Sequence, residues 1–230
     1  MAEEQATAEV EQSDDPDAGP RVPPEKLERR RQALAEVRQF GDPVLKSRAT
    51  EITSFSPELE EEAERMIALM QEAMGIGLAA TQLGSMRRML VFQAGPDAPP
   101  RALVNPELEW VSDDLVTAEE GCLSLANVIV DVERPLHARV SARDLAGERI
   151  LLEASGLEAR VLQHEMDHLD GTLILDRTPR PQRRAALRAL RAGESFDPSM
   201  LDPDPDPAAE PASGPEDGEA PAKDAGPPAR

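Results

Sequence analysis

Cysteine, aromatic residues and long apolar runs are all scarce in this sequence. Its 230 residues include one cysteine, no tyrosine and one tryptophan, and aromatic residues make up only 2% of the chain. A single cysteine excludes an intramolecular disulfide and favours a reducing compartment. No stretch approaches the roughly 20 apolar residues that a membrane-spanning helix requires, and the acidic N-terminal segment lacks the apolar core of a signal peptide. We therefore expect a cytoplasmic protein without a membrane partner.

Basic residues are scarce at both ends of the chain, where acidic residues accumulate. The formal net charge is -20, and much of it lies at residues 1–24 and in a proline- and alanine-rich segment at residues 194–230. Segments of this composition bury too little apolar surface to fold, so we predict a disordered acidic N-terminal extension and a disordered tail. One folded domain then spans residues 25–193. The overall acidity argues against nonspecific binding of nucleic acid by the whole chain, because phosphates repel it.

The middle of the chain predicts an α+β fold. Helices are predicted over residues 25–39 and 181–192, and a third begins at Pro57 with Ser56 as its N-cap. Short apolar segments separated by Gly, Pro and Asp turns predict mostly antiparallel or mixed strands, at residues 89–92, 102–105, 128–132, 138–142 and 150–152. Ser155 and Glu158 form a capping-box pattern, which predicts a buried helix that ends at Gly171. We expect the short strands to surround this central helix.

That central helix contains the pattern His164-Glu165-Met166-Asp167-His168. Residues i and i+4 lie on one face of a helix, so both imidazoles can reach one metal ion. Glu165 lies beside them and can exchange a proton with water whose pKa the metal lowers. The alternative interpretation is a helix whose two histidines make ordinary hydrogen bonds.

Two histidines are too few ligands for a stable metal site. A metzincin would have a histidine at position 174, where this chain has Ile174, and a thermolysin-like enzyme would need a downstream glutamate, for which Glu194 is the nearest candidate beyond the next helix. Cys122 can supply the third ligand and leave a fourth position open, as in catalytic sites. Taken alone, Cys122 is also compatible with a small buried apolar residue.

A glycine-rich segment precedes these residues. Residues 75–82 are Gly-Ile-Gly-Leu-Ala-Ala-Thr-Gln, and their small side chains would let a ligand approach the backbone closely. The amide of Gln82 could stabilise a developing oxyanion. The two glycines are also compatible with a helix stop and a tight turn, and without a preceding strand they do not form a dinucleotide-binding motif.

Three segments, in this order, resemble the signature motifs of the peptide deformylases: Gly-Ile-Gly-Leu-Ala-Ala-Thr-Gln at 75–82, Glu-Gly-Cys-Leu-Ser at 120–124 and Gln-His-Glu-Met-Asp-His-Leu-Asp-Gly at 163–171. Residues 41–45, Gly-Asp-Pro-Val-Leu, are similar to the N-terminal segment of that family. The resemblance covers about residues 37–178. It implies a metallohydrolase that removes the N-formyl group from formylmethionine at the start of nascent polypeptides and releases formate.

The resemblance also implies roles for individual residues. Cys122, His164 and His168 would hold one divalent metal ion, Fe(II) in the cell, with zinc, nickel or cobalt as substitutes. Glu165 would carry a proton from water to the leaving amine. The side-chain amide of Gln82 and the backbone N–H of Leu123 would stabilise the oxyanion.

For the substrate, the resemblance implies that the backbone at Gly77 pairs with the extended formylmethionyl peptide like an added strand. Ile76, Leu157 and Val161 are candidates for the methionine pocket, although they could also be plain core residues. The chain departs from the common family pattern at Thr81, where many members have proline. It departs again at residues 125–129, where many members have a proline followed by an arginine near the substrate. The peptide preference therefore stays open.

Five arginines lie immediately before and within the last predicted helix, and they contrast with the acidity of the rest of the chain. They lie between Arg180 and Arg191 and form either a solvated face or a contact with ribosomal RNA. Two other functions stay open for the whole protein. One is a metallopeptidase or other amidohydrolase that uses the same site, and the other is a catalytically weak relative that acts in binding.

Overall fold

The computed structural model describes residues 22–201. Of these, residues 22–198 belong to one compact unit, and a second unit begins at Ser199. All the elements named below, apart from the end of a 3₁₀ turn at Pro198–Met200, belong to the first unit. The predicted N-terminal extension and nearly all of the predicted tail lie outside the described residues.

Five α-helices occur among the described residues. They are α1 (Pro24–Glu36), α2 (Pro57–Glu72), α3 (Leu157–Leu169), α4 (Ile174–Arg177) and α5 (Arg180–Ala192). Helix α2 begins as predicted, with Ser56 at the N-cap position and Pro57 as its first residue, although the Ser56 side chain makes no capping hydrogen bond. No helix within residues 22–201 is long and apolar enough to cross a membrane.

The strands form two antiparallel sheets, which confirms the α+β prediction. The larger sheet has the order β1-β2-β3-β6-β7, with β1 at Gly77–Ala79, β2 at Met89–Phe92, β3 at Arg101–Val111, β6 at His137–Arg143 and β7 at Arg149–Ser155. The smaller sheet is a hairpin of β4 (Leu115–Cys122) and β5 (Leu125–Pro135). Strand β1 therefore forms one edge of the larger sheet.

Helices α2 and α3 pack on opposite faces of the larger sheet, because β2 is buried on both sides. Leu90 and Phe92 belong to the apolar cluster that contains Leu162 of α3. The alternate residues of β2, Met89 and Val91, belong to a second cluster with α2. Helix α3 also contacts β1 directly, so it lies beside the edge of the sheet that contains the glycine-rich segment.

Two details differ from the prediction. Helix α3 has Gly156 at its N-cap position, with a φ of 59°, and no side-chain cap. Ser155 instead ends β7, paired with His137, so the capping-box prediction was wrong: Gly156, at a positive φ, separates the strand from the helix and takes the N-cap position. Strand β4 was not predicted at all.

The packed chain also continues beyond residue 193, where we expected the tail to begin. Phe196 donates a backbone hydrogen bond to Asn127 O (2.9 Å) and accepts one from Ile129 N (2.8 Å). Its side chain is buried. Phe196 therefore pairs with the edge of β5, and the predicted tail boundary is too early.

Candidate metal centre

Helix α3 and the end of β4 bring three ligand-type side chains together. His164 and His168 lie one turn apart, with their ring centroids separated by 5.0 Å. Cys122 Sγ lies 3.2 Å from His168 Nε2. One ligand atom from each of the three residues lies within 4.8 Å of the others, and among residues 22–201 no other group of this kind occurs. The spacing suits a single ion.

The turn between β4 and β5 explains how Cys122 reaches α3. The register shifts between Gly121, which pairs with Ile129, and Cys122, which pairs with Leu125. Such an irregularity re-aims the side chain that follows it. A thiol and two imidazoles suit iron, zinc, nickel or cobalt better than the oxygen-seeking magnesium or calcium, and three protein donors leave one position open. The donor set therefore fits the metal that the sequence implies.

Glu165 is buried beside this group. Only 4% of the residue is exposed, and its Oε2 atom has no hydrogen-bond partner. Burial raises the pKa of Glu165 to about 7. The other carboxylate oxygen faces Gly77, where an added Cβ atom would lie 2.2 Å from Glu165 Oε1. A buried carboxyl with one unpartnered oxygen next to three metal donors is arranged to act on a ligand in the cavity.

Glu120, for which the sequence motif indicated no role, orients His164. His164 Nδ1 lies 2.9 Å from Glu120 Oε2, which leaves Nε2 as the ring nitrogen available to a metal. Burial alone would raise the pKa of Glu120, but hydrogen bonds from His164 and Arg134 outweigh burial and lower it to about 2. Glu120 is therefore ionised and acts as a fixed acceptor for the ring.

Two arginines hold Glu120 in place. Arg134 donates from Nε to Oε1 (2.6 Å) and from Nη2 to Oε2 (2.9 Å), and Arg160 Nη1 donates to Oε1 (2.7 Å). Arg134 also bonds Asp167 at 2.9 Å, and Arg177 forms an ion pair with the same aspartate. A charge network thus fixes His164 and Asp167, the α3 residue that precedes His168. The signal for it in the sequence was an acidic residue two positions before the only cysteine.

Gln82 lies close to the same centre. Its Oε1 atom accepts a hydrogen bond from Ala79 N (2.9 Å), which orients the amide so that Nε2 faces Ser124 Oγ (3.2 Å) and Cys122 Sγ (3.8 Å). The chain after α1 supports this arrangement. Arg38 N donates to Gln82 O (2.7 Å), and the Gln39 side chain donates to Leu123 O (3.1 Å). Both residues predicted as oxyanion donors are therefore anchored through their carbonyls.

A cavity of 560 Å³ opens at this centre. Ile76, Gly77, Leu157 and Val161 all line it, together with Gln82, Cys122, Leu123, His164 and Glu165. His168 is buried and is not among the residues that line the cavity. Ile76 and Leu157 are 46% and 52% exposed, whereas Val161 is 4% exposed. Half-exposed aliphatic side chains at a cavity are available to an apolar ligand, which plain core residues are not.

Comparisons with known proteins agree with this geometry. The family model described as polypeptide deformylase matches residues 34–184. The chain is 44% identical over 155 residues to the peptide deformylase of Thermotoga neapolitana, an alignment that covers 67% of this chain and 93% of the relative. It is 42% identical over 166 residues to peptide deformylase 1 of Corynebacterium glutamicum, covering 71% and 98%.

Solved structures are similar as well. The peptide deformylase of Synechococcus elongatus in complex with actinonin matches with a TM-score of 0.64 and 39% identity, over 70% of this chain and 88% of that one. The enzyme of Thermotoga maritima matches with a TM-score of 0.60 and 43% identity, over 62% and 96%. These likenesses lie well above the level at which only a fold is shared.

Proposed function

The chain belongs to the polypeptide deformylase family, metal-dependent hydrolases that remove the N-formyl group from nascent peptides, and we propose that Cys122, His164 and His168 hold its metal. The observation that carries this assignment is that the three donor atoms lie within 4.8 Å of one another. Beside them lies the buried carboxylate of Glu165, whose Oε2 atom has no hydrogen-bond partner. The cavity at this cluster is where formylated peptides would react.

The metal in the cell would be Fe(II), with zinc, nickel or cobalt as substitutes. The thiolate and two imidazoles are compatible with each of these ions. When bound, a divalent ion supplies a Lewis acid that polarises a carbonyl oxygen and lowers the pKa of water towards about 7. Glu120 would orient His164 Nε2 towards the ion by holding Nδ1.

Glu165 would carry the proton in this reaction. Its carboxylate takes a proton from the attacking water and delivers it to the amine of methionine as formate leaves. The amide Nε2 of Gln82 and the backbone N–H of Leu123 would donate hydrogen bonds to the oxyanion that forms at the formyl carbon. One such donor is worth about 3 kcal/mol of transition-state stabilisation.

The peptide would lie between two strand edges. Among residues 22–201, strand β1 pairs only with β2, so the backbone groups on the other side of Gly77 are available to an extended peptide. Gly121 of β4 also lines the cavity. Ile76, Leu157 and Val161 would form the methionine pocket, because each lines the cavity next to the catalytic carboxylate.

Formate release tests this function directly. The protein, prepared without oxygen and loaded with Fe(II), is incubated with formyl-Met-Ala, and Glu165→Ala protein of measured metal content is run beside it. Release by the wild type and loss in the metal-loaded variant support the assignment. A folded, metal-loaded wild type that releases no formate contradicts it. Activity on acetylated or unblocked peptides would then favour a metallopeptidase or other amidohydrolase, and inactivity on all of them a binding role.

We further propose that α5 contacts ribosomal RNA, which would place the enzyme in the cytoplasm beside its substrate. All five of its arginines are exposed, while the helix docks on the domain through buried Ala185, Ala186 and Ala189. An exposed cationic face on a strongly acidic protein is suited to a phosphate backbone.

Ribosome co-sedimentation tests the contact. Reversing three charges on α5 (Arg184→Glu, Arg188→Glu and Arg191→Glu) should abolish a salt-sensitive association. Three exposed basic residues elsewhere provide a control with the same change in net charge: Lys26→Glu, Arg29→Glu and Arg149→Glu. If both triple variants sediment with ribosomes to the same extent, the contact does not involve α5.

A further inference from the structure

Arg30 of α1 lines the same cavity as the metal cluster, although it precedes the residues that the family model matches, 34–184. Its Nε atom donates to Ala73 O (3.3 Å), at the end of α2. Within residues 22–201 no ion pair or other hydrogen bond engages the two terminal nitrogens of this guanidinium. A half-buried cation with unused donors therefore forms part of the wall of the substrate cavity.

The position of Arg30 along the cavity follows from the chain between Ala73 and Gly77. Gly77 abuts Glu165 and so marks the catalytic end. The segment then leads back through Gly75 and Met74, which also line the cavity, to Ala73, where Arg30 is anchored. A peptide whose formyl group reaches the metal cluster, and which runs along the edge of β1, would pass Arg30 with the residues that follow methionine.

Resting on the deformylase function proposed above, we infer that Arg30 selects formylated peptides that present a carboxylate at the second or third residue, where formylmethionine is the first. A guanidinium with free terminal nitrogens can bind a carboxylate through two parallel hydrogen bonds. The carboxylate is either an acidic side chain of a nascent chain or the free end of a short peptide, and both use the same chemistry.

The other charges around the cavity do not cancel this preference. Glu120 and Arg160 are bonded to each other and to further partners. Glu119 also lines the cavity, but it is exposed whereas Arg30 is half-buried. Solvent and salt screen an exposed charge more strongly than a half-buried one, so Arg30 dominates the selection.

The chain offers a matched control in the neighbouring residue. Arg29 lies on the same helix but is exposed and lines a different depression, with Lys26 and Gln71. Changing Arg29 to glutamate alters the net charge of the protein by the same amount as changing Arg30, without altering the substrate cavity.

The test measures, for each enzyme, the ratio of kcat/KM between two C-terminally amidated peptides that differ only in one charged residue. The first pair is formyl-Met-Ala-Glu-Ser and formyl-Met-Ala-Lys-Ser. A second pair carries the Glu or Lys at the second residue in place of the third. We expect the wild type to favour Glu by about fivefold in at least one pair, as for a modest ion pair, and to lose this preference in 0.5 M salt. Arg30→Gln should remove the preference, Arg30→Glu should invert it, and Arg29→Glu should keep it. A further comparison of kcat/KM, between peptides with a free C-terminus and their amides, tests recognition of the terminal carboxylate; it uses formyl-Met-Ala and formyl-Met-Ala-Ser.

Each outcome distinguishes the inference from the function on which it rests. Formate release from all peptides without any charge preference, or with a preference that Arg30→Glu leaves unchanged, overturns the role of Arg30 and leaves deformylation intact. Discrimination confined to the non-amidated peptides assigns Arg30 to the chain end and excludes side-chain selection. Absence of formate release by the metal-loaded wild type overturns both. Thermal melts of each variant establish that the ratios come from folded enzyme.

Discussion

Gly77 lies so close to Glu165 that a Cβ atom at position 77 would be 2.2 Å from Glu165 Oε1. Contacts under 3 Å with a carbon atom are not tolerated, so any side chain here must displace the carboxylate or the strand. The glycine that the sequence suggested for substrate pairing therefore also makes room for the proposed proton carrier.

Gly77→Ala should lower kcat/KM for formyl-Met-Ala by at least about 100-fold, because the displaced Glu165 no longer reaches the reacting atoms. Metal content should stay near that of the wild type, since the three donors lie outside the contact. The decisive measurement is a double-mutant cycle with Glu165→Ala. In that background the clash is gone, so Gly77→Ala should cost no further activity and little stability. Additive losses in the cycle would show that Gly77 acts independently of Glu165.

Replacing Arg134 should destabilise the protein strongly, because two buried carboxylates lose a cation. The side chains of Arg134 and Glu120 are 2% and 5% exposed, and removing one partner of a buried pair costs about 3–5 kcal/mol. We expect Arg134→Met to lower the free energy of unfolding by about 3 kcal/mol. This is the low end of that range, because Arg160 and Arg177 still contact the two carboxylates. Denaturant unfolding measures this value. Metal affinity should fall about 10- to 100-fold, because Glu120 orients His164.

An exposed ion pair in the larger sheet is the control for this change. Arg139 and Glu153 lie across β6 and β7, with side chains 44% and 71% exposed. Arg139→Met should change stability by no more than about 1 kcal/mol. If the two variants lose the same stability, the buried charge network around Arg134 contributes no more to the stability of the protein than an exposed ion pair does.

Much of the site could be predicted because its residues form local patterns. The i, i+4 histidines, Cys122 and the glycine-rich segment occur together in the sequence motifs, and each lies at the same centre in the structure. Strand β2 was predicted with its observed limits, because a short apolar run between turns predicts a buried strand. Patterns of this kind depend only on neighbours in sequence.

Features that depend on distant contacts escaped prediction. Strand β4 has mostly exposed residues, and Glu119 and Glu120 within it disfavour a strand by composition; only its pairing with β5 makes it one. Arg134, Asp167 and Arg177 join into a network across separations of up to 33 residues, which no periodicity reveals. Arg30 reaches the cavity only because α1 packs beside α2.

The ion pair of Asp176 with Lys46 gives a pH-dependent prediction. Burial alone would raise the pKa of Asp176, but the hydrogen bond from Lys46 and that from the Leu173 backbone outweigh it, so the pKa lies below its ordinary 3.8. A carboxyl whose pKa is depressed by folding stabilises the protein above its unfolded-state pKa, and the effect is lost as the pH falls through the folded value. Asp176→Asn should therefore be less stable than the wild type at pH 7 and 5, with a difference that shrinks below pH 4.

Urea unfolding at each pH measures that difference. Asp97→Asn, in an exposed loop position, controls for the loss of one negative charge and should follow the wild type throughout. A deficit of Asp176→Asn that stays constant down to the acid limit of folding would mean that the carboxylate charge is not what stabilises this corner. The effect should be small, because Lys46 is half exposed.

Gln82 provides a test of oxyanion stabilisation that leaves the metal site in place. Gln82→Glu keeps the oxygen that accepts from Ala79 N but replaces the amide donor with a second acceptor. We expect kcat to fall about 100- to 1,000-fold with a much smaller change in KM, because the lost hydrogen bond is stronger in the transition state than in the bound substrate. Ser124→Ala removes the hydroxyl near Gln82 Nε2 and preserves the donor, so it should cost less than about tenfold. If both variants lose activity equally, the loss comes from the contact between Gln82 and Ser124 and not from an oxyanion donor. If Gln82→Glu raises KM alone, the amide binds substrate without stabilising the oxyanion.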